Sequence, residues 1–132
     1  VILDSHAWVF YATGVPLAKR GLSRIEKARK GGRLQIAAVT LWEVALLAQQ
    51  RKIRFVQPPL EWFREALART EVTVAALDAA VAIDAARLLH LLRDPADCQI
   101  AGTALQAGVP LATRDTRLIE NADAVGLDVI EV

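Results

Sequence analysis

Four acidic side chains, Asp4, Glu43, Asp97 and Asp115, stand where the chain changes from apolar, extended character to helical character. Asp4 closes the run Val1-Ile2-Leu3. Glu43 follows Leu34-Gln35-Ile36-Ala37-Ala38-Val39 by about one helical turn. Asp97 lies in the first turn of a helix opened by Asp94-Pro95, and Asp115 comes just after Val109-Pro110-Leu111-Ala112. If the runs are parallel strands of one sheet, their carboxyl ends share an edge, and the four acids share it with them. Gathered carboxylates repel one another unless a cation binds among them. An oxygen-only donor set suits Mg²⁺ or Mn²⁺, and such ions activate water and offset charge on a phosphodiester undergoing attack.

Each acid also has a local explanation. Asp94 is the natural N-cap of a helix whose first position is Pro95, where a missing N–H costs nothing. Asp4 and Asp115 can cap the helices that follow them. Thr40 and Glu43 form a capping-box pattern, with Thr40 as N-cap and Glu43 reaching back to its N–H. Asp97 is harder to account for locally, because it lies in line with Ala101, Ala104, Leu105 and Gly108 on a close-packing stripe. The residue pattern by itself leaves capping and metal binding both open.

The elements that must position these acids alternate along the chain. Strands are expected at 1–3, 34–39, 72–74, 109–112 and 126–132. Helices are expected from Ser5 to Ala12, over 17–30, from Thr40 to about Lys52, from Leu60 to Ala68, from Asp78 to Leu92 and from Asp94 to Gly108, with a short one after Asp115. Alternation of this kind predicts a single α/β domain over 1–132 with a mostly parallel sheet. The 132 residues suffice for one core, and 54% are hydrophobic.

Net charge is only +1, but residues 1–66 carry 11 basic and 5 acidic side chains while 67–132 carry 5 and 10. The basic excess centres on 19–33, where Lys19, Arg20, Arg24, Lys27, Arg29, Lys30 and Arg33 face one acid, Glu26. That segment reads as a solvated helix face or as a phosphate-binding surface. The single cysteine, Cys98, excludes an internal disulfide framework and a cysteine zinc cluster. No apolar run has the length of a membrane span and no signal peptide is visible, so a cytoplasmic location is expected.

Four short motifs then occur in a fixed order: Asp4-Ser5-His6-Ala7, Leu41-Trp42-Glu43, Arg93-Asp94-Pro95-Ala96-Asp97 with Ile100-Ala101, and Thr113-Arg114-Asp115 with Leu118. In type, order and spacing they resemble the PIN-domain ribonucleases, and among them the VapC toxins of bacterial toxin–antitoxin pairs. The resemblance spans essentially the whole chain. It implies a three-layer α/β/α sandwich, a homodimer, and metal-dependent cleavage of RNA by an activated water. It implies that Asp4, Glu43, Asp97 and Asp115 bind Mg²⁺ or Mn²⁺, with Asp94 auxiliary and Ser5 and Thr113 supporting the carboxylates. It also implies a small antitoxin as partner. Many members have a basic residue after the third acid, where this chain has Cys98. That leaves Arg93 or Arg114, with Arg24 and Lys27 of the basic segment, as candidate phosphate contacts.

Two other readings have identifiable signatures. A non-catalytic PIN-like module binding RNA or protein has no need of four acids. A haloacid-dehalogenase-type phosphatase also places an aspartate after its first strand, but wants a second two residues later, where this chain has His6.

Overall fold

The computed structural model describes residues 1–132. Its centre is β1 (Ile2–Leu3), whose two residues are fully buried on opposite faces of the sheet. Around it β2 (Gln35–Ala37), β3 (Thr73–Ala75), β4 (Leu111–Thr113) and β5 (Val129–Glu131) assemble in the order β3-β2-β1-β4-β5. Every pairing is parallel; Ile2 lies opposite Gln35 on one side and Leu111 on the other. Because β1 leads to β2 on one side and pairs with β4 on the other, the strand order reverses beside it. In open parallel sheets, ligands bind at the carboxyl edge of that reversal.

The seven helices are α1 (Ser5–Thr13), α2 (Lys19–Lys30), α3 (Ala38–Gln49), α4 (Pro59–Thr70), α5 (Ala79–Leu92), α6 (Pro95–Ala107) and α7 (Thr116–Val125). On one face Leu3 and Ile36 meet Trp8 and Ala12 of α1, Ile25 and Ala28 of α2, and Trp62 and Ala66 of α4. On the other, Ile2 and Leu111 meet Leu88 and Leu92 of α5, Ile100 and Ala104 of α6, and Leu118 and Ala122 of α7. This is the expected three-layer sandwich, and both faces of each central strand are covered, which is why those strands read as continuous apolar runs.

Two packing details fix the site. A side chain on Gly102 of α6 would come within 3.3 Å of Ala85 N and Val81 O on α5, so these helices approach closely and hold the start of α6 beside the end of α5. Trp8, fully buried, donates through Nε1 to Thr70 at 3.1 Å and packs edge-on against Trp62, tying α1 to α4.

Two sequence expectations need correction. The second strand ends at Ala37, so α3 begins at Ala38 and Thr40 is its third residue rather than its cap. No side chain caps this helix, and the buried Thr40 hydroxyl has no hydrogen-bond partner, so the capping box does not form. The basic helix starts at Lys19, not at 17, and its cations are not uniformly free: Arg29 pairs with Glu26 at 2.9 Å and with Glu71 at 2.5 Å. Smaller shifts end α3 at Gln49 and extend α4 to Pro59–Thr70.

Candidate active site

Asp4 is the N-cap of α1, in extended conformation directly after β1, and its Oδ1 accepts from Ala7 N at 2.6 Å. Its other oxygen accepts from the Thr113 hydroxyl, at the carboxyl end of the neighbouring strand β4. Thr113 Oγ1 in turn accepts from Asp115 N at 2.9 Å, so one buried hydroxyl fixes both acids. Asp115 caps α7 through Arg117 N and Leu118 N at 2.9 and 3.1 Å. Asp94 caps α6 through Ala96 N and Asp97 N at 2.8 and 3.1 Å. Capping is therefore real at Asp4, Asp94 and Asp115, and it holds each carboxylate at a defined helix entrance.

Glu43 is different. With the capping box absent, its carboxylate is directed elsewhere and accepts from the Ser5 hydroxyl at 2.5 Å. Ser5, buried at the first position of α1, thereby joins the acid from α3 to the residue beside Asp4.

Asp4, Glu43, Asp94, Asp97 and Asp115 line one pocket of about 250 Å³, together with Ser5, His6 and Arg117 and with no hydrophobic residue. No cation lies within 4.0 Å of any of these acids; the molecule's ion pairs are all elsewhere. The cost is concentrated on Asp97, pushed up to about 7 by burial and then by the charges of Asp94, Asp115, Glu43 and Asp4. Asp4 is raised too, mainly by burial, against the lowering effect of its bonds from Thr113 and Ala7. The donor set is all oxygen, carries up to five negative charges and has no cation paired with it, which is the chemistry a hard divalent cation requires. No three of the acids stand close enough together to share one ion without side-chain movement.

The proposed basic contacts separate. Arg114 lies over the Phe10 ring at 4.7 Å and donates to Val132 O and Pro16 O, committed to the fold beside the pocket. Arg93 ends α5 in left-handed conformation and is exposed, outside the pocket lining. Arg24 is 3.7 Å from Asp128, which precedes β5 and so marks the amino edge of the sheet; Lys27 lies one turn further along α2. The pocket lining instead includes two residues to which the sequence reading gave no role there, His6 and Arg117. Both fall two residues after a helix-capping aspartate, a spacing that could have flagged them. Burial, then Asp97 and Asp94, push the Cys98 thiol up, which disfavours it as a nucleophile.

Comparison with known proteins places the whole chain in one family. The PIN domain family matches residues 1–124. Ribonuclease VapC22 of Mycobacterium tuberculosis is 35% identical over 119 residues, 89% of this chain and 88% of that protein. Among solved structures, VapBC2 of Rickettsia felis bound to a promoter DNA fragment superposes with a TM-score of 0.72 at 16% identity, covering 99% of this chain and 97% of that one. DNA-bound VapBC of Salmonella typhimurium superposes at 0.70 and 21%, covering 98% and 96%. The parallel sheet, the acid-lined pocket beside its central strand and the match over nearly the full length together make this chain a member of the PIN-domain family.

Proposed function

We propose that the protein is a metal-dependent endoribonuclease and the toxin of a toxin–antitoxin pair. The observation that carries this reading is the pocket itself: five carboxylates, four from the entrances of three helices and one from a helix body, lining one space with no ion pair to any of them. The reading draws further support from the likeness to a VapC ribonuclease.

Asp4, Glu43, Asp97 and Asp115 would hold Mg²⁺ or Mn²⁺, with Asp94 beside them. A divalent cation bound there supplies a water of lowered pKa and charge to offset that of a phosphodiester transition state. The chain's own residues do the rest. Thr113 holds Asp4 and Asp115 in register across β1 and β4, and Ser5 holds Glu43 against the same space. Asp97, pushed up to about 7 without a cation, would give up its proton to bind one. Attack on a phosphate in line breaks a P–O bond of the RNA backbone, water supplying the hydroxyl and the leaving oxygen taking up a proton.

A small antitoxin is the natural partner, since the two solved structures are VapBC complexes. A homodimer is consistent with the apolar hollow of about 220 Å³ between α5 and the start of α6, with Leu77 and Leu89 at its rim and half exposed. The test is cleavage of total RNA by the purified, antitoxin-free protein with Mg²⁺, Mn²⁺ or EDTA. Discrete metal-dependent cuts, absent in Asp97→Asn, are expected. Intact RNA with a folded wild type supports the non-catalytic binding module instead.

A further inference from the structure

The carboxylate pocket contains one side chain of permanent positive charge, Arg117. Its guanidinium makes no ion pair with any of the five acids that share the pocket. Instead Nη1 donates to Leu92 O at 3.1 Å, the carbonyl of the last residue of α5. That helix is 14 residues long, and its C-terminus carries the partial negative charge that favours a cation. The backbone of Arg117 is fixed as well, because its N–H donates to Asp115 Oδ1 at 2.9 Å. The other donors, Nε and Nη2, have no partner within the protein, and the side chain is exposed.

This arrangement differs from that of the neighbouring arginines. Arg114 spends its donors on Val132 O and Pro16 O and covers Phe10. Arg93 lies outside the lining. A guanidinium whose role was to neutralise the acids would sit against them. Here it is tethered to a neutral carbonyl at one end and left uncommitted at the other, with a planar fork suited to two oxygens of a phosphate. The need for it is electrostatic. A phosphodiester entering a space lined by five carboxylates meets repulsion that a fixed cation in the same lining offsets.

We propose that Arg117 binds the non-bridging oxygens of the RNA phosphate that enters the carboxylate pocket, its orientation set by the tether to the end of α5. This inference rests on the nuclease reading of the same pocket.

The test uses the whole chain, a single-stranded RNA oligonucleotide of mixed sequence as probe, and Asp97→Asn as a cleavage-dead background. RNA affinity is measured in Mg²⁺ across a range of KCl for Asp97→Asn alone and combined with Arg117→Gln or Arg117→Lys. Loss of one phosphate contact on a single strand lowers the log–log salt slope by about 0.7. Arg117→Gln is expected to show that loss, with affinity weaker by about tenfold at low salt, while Arg117→Lys keeps the slope and part of the affinity. In the otherwise wild-type chain, Arg117→Gln is expected to lower kcat/KM with the change chiefly in KM.

A purely structural tether predicts something else: a lower melting temperature for Arg117→Gln with RNA affinity and salt slope unchanged. That result overturns the proposal, as does a salt slope in Arg117→Lys no different from that in Arg117→Gln. Cleavage persisting in Asp97→Asn overturns the assignment of the nuclease to this pocket, and the proposal with it. Cleavage abolished in Asp97→Asn with an unchanged slope in Arg117→Gln overturns the proposal alone.

Discussion

Glu26 on α2 and Asp97 at the entrance of α6 are both half-buried carboxylates, and the chain surrounds them in opposite ways. Glu26 accepts from the Tyr11 hydroxyl and from Arg29 Nε and Nη2 at 3.1 and 2.9 Å. Those bonds, from Tyr11 first and then Arg29, hold its carboxyl below the usual range. Asp97 is pushed up to about 7 by its burial first and then by four other acids, and no cation pairs with it. Burial weighs more on Asp97, and the partners differ in kind as well. Glu26 is completed by the protein itself, while Asp97 is left for something outside the chain to complete. A carboxylate the fold has finished is structural, and one it has left unfinished is poised for a ligand.

The largest effect that could break this contrast is catalytic. Asp97→Asn and Asp4→Asn are each expected to lower RNA cleavage by about a hundredfold or more, the scale of losing one contact to a charged transition state. Glu26→Gln should leave the cleavage rate of the folded protein unchanged. Equal losses in both places would dissolve the distinction.

Next in size is the pH dependence of stability without metal. The folded-state pKa of Asp97 lies above its unfolded value, so between about pH 4 and 7 the folded chain holds a proton that the unfolded chain has released. Its contribution to stability therefore declines as pH rises through that window and is flat above it. Allowing for solvent screening, the effect is about 2 kcal/mol. Melting in EDTA at pH 5 and pH 8 measures it, and Asp97→Asn should flatten the profile. Added Mg²⁺ should stabilise the protein more at pH 8 than at pH 5, because protons and cation compete for the same oxygens. Glu26 has the reverse sign: its lowered pKa gives stability at neutral pH that is lost as pH falls below the ordinary glutamate range.

Smaller again are two hydroxyls. Ser5→Ala removes the bond that directs Glu43 and is expected to slow cleavage by about tenfold, with little change in melting temperature. Thr40→Val replaces a buried, unpartnered hydroxyl by a methyl of similar shape, and chemical denaturation should show a gain of about 1 kcal/mol. A loss there would mean that the hydroxyl has an undetected partner.

Much of the site was legible because three of its acids do two jobs. Asp4, Asp94 and Asp115 are helix caps, and caps announce themselves through local signals such as Pro95 or a strand that stops. The sheet was legible for a similar reason, since strands buried on both faces leave unbroken apolar runs. Glu43 was misread structurally because the start of α3 is set by where β2 stops pairing with β3, at Ala37 opposite Ala75. No residue between Ala37 and Thr40 marks that point. Arg117 was missed because the direction of its guanidinium depends on the end of α5, 25 residues away in sequence, and no local pattern encodes that meeting.

The Thr113–Asp4 hydrogen bond joins positions 109 residues apart, between two strands that are neighbours only in the finished sheet. During synthesis Asp4 emerges long before β4 exists to pair with β1. A nascent chain carrying Asp4 and Glu43 but not yet Thr113 has half a site and no means of closing it. On the nuclease reading proposed above, the site is completed only when the fourth strand docks, so the activity assigned to it would begin with that step.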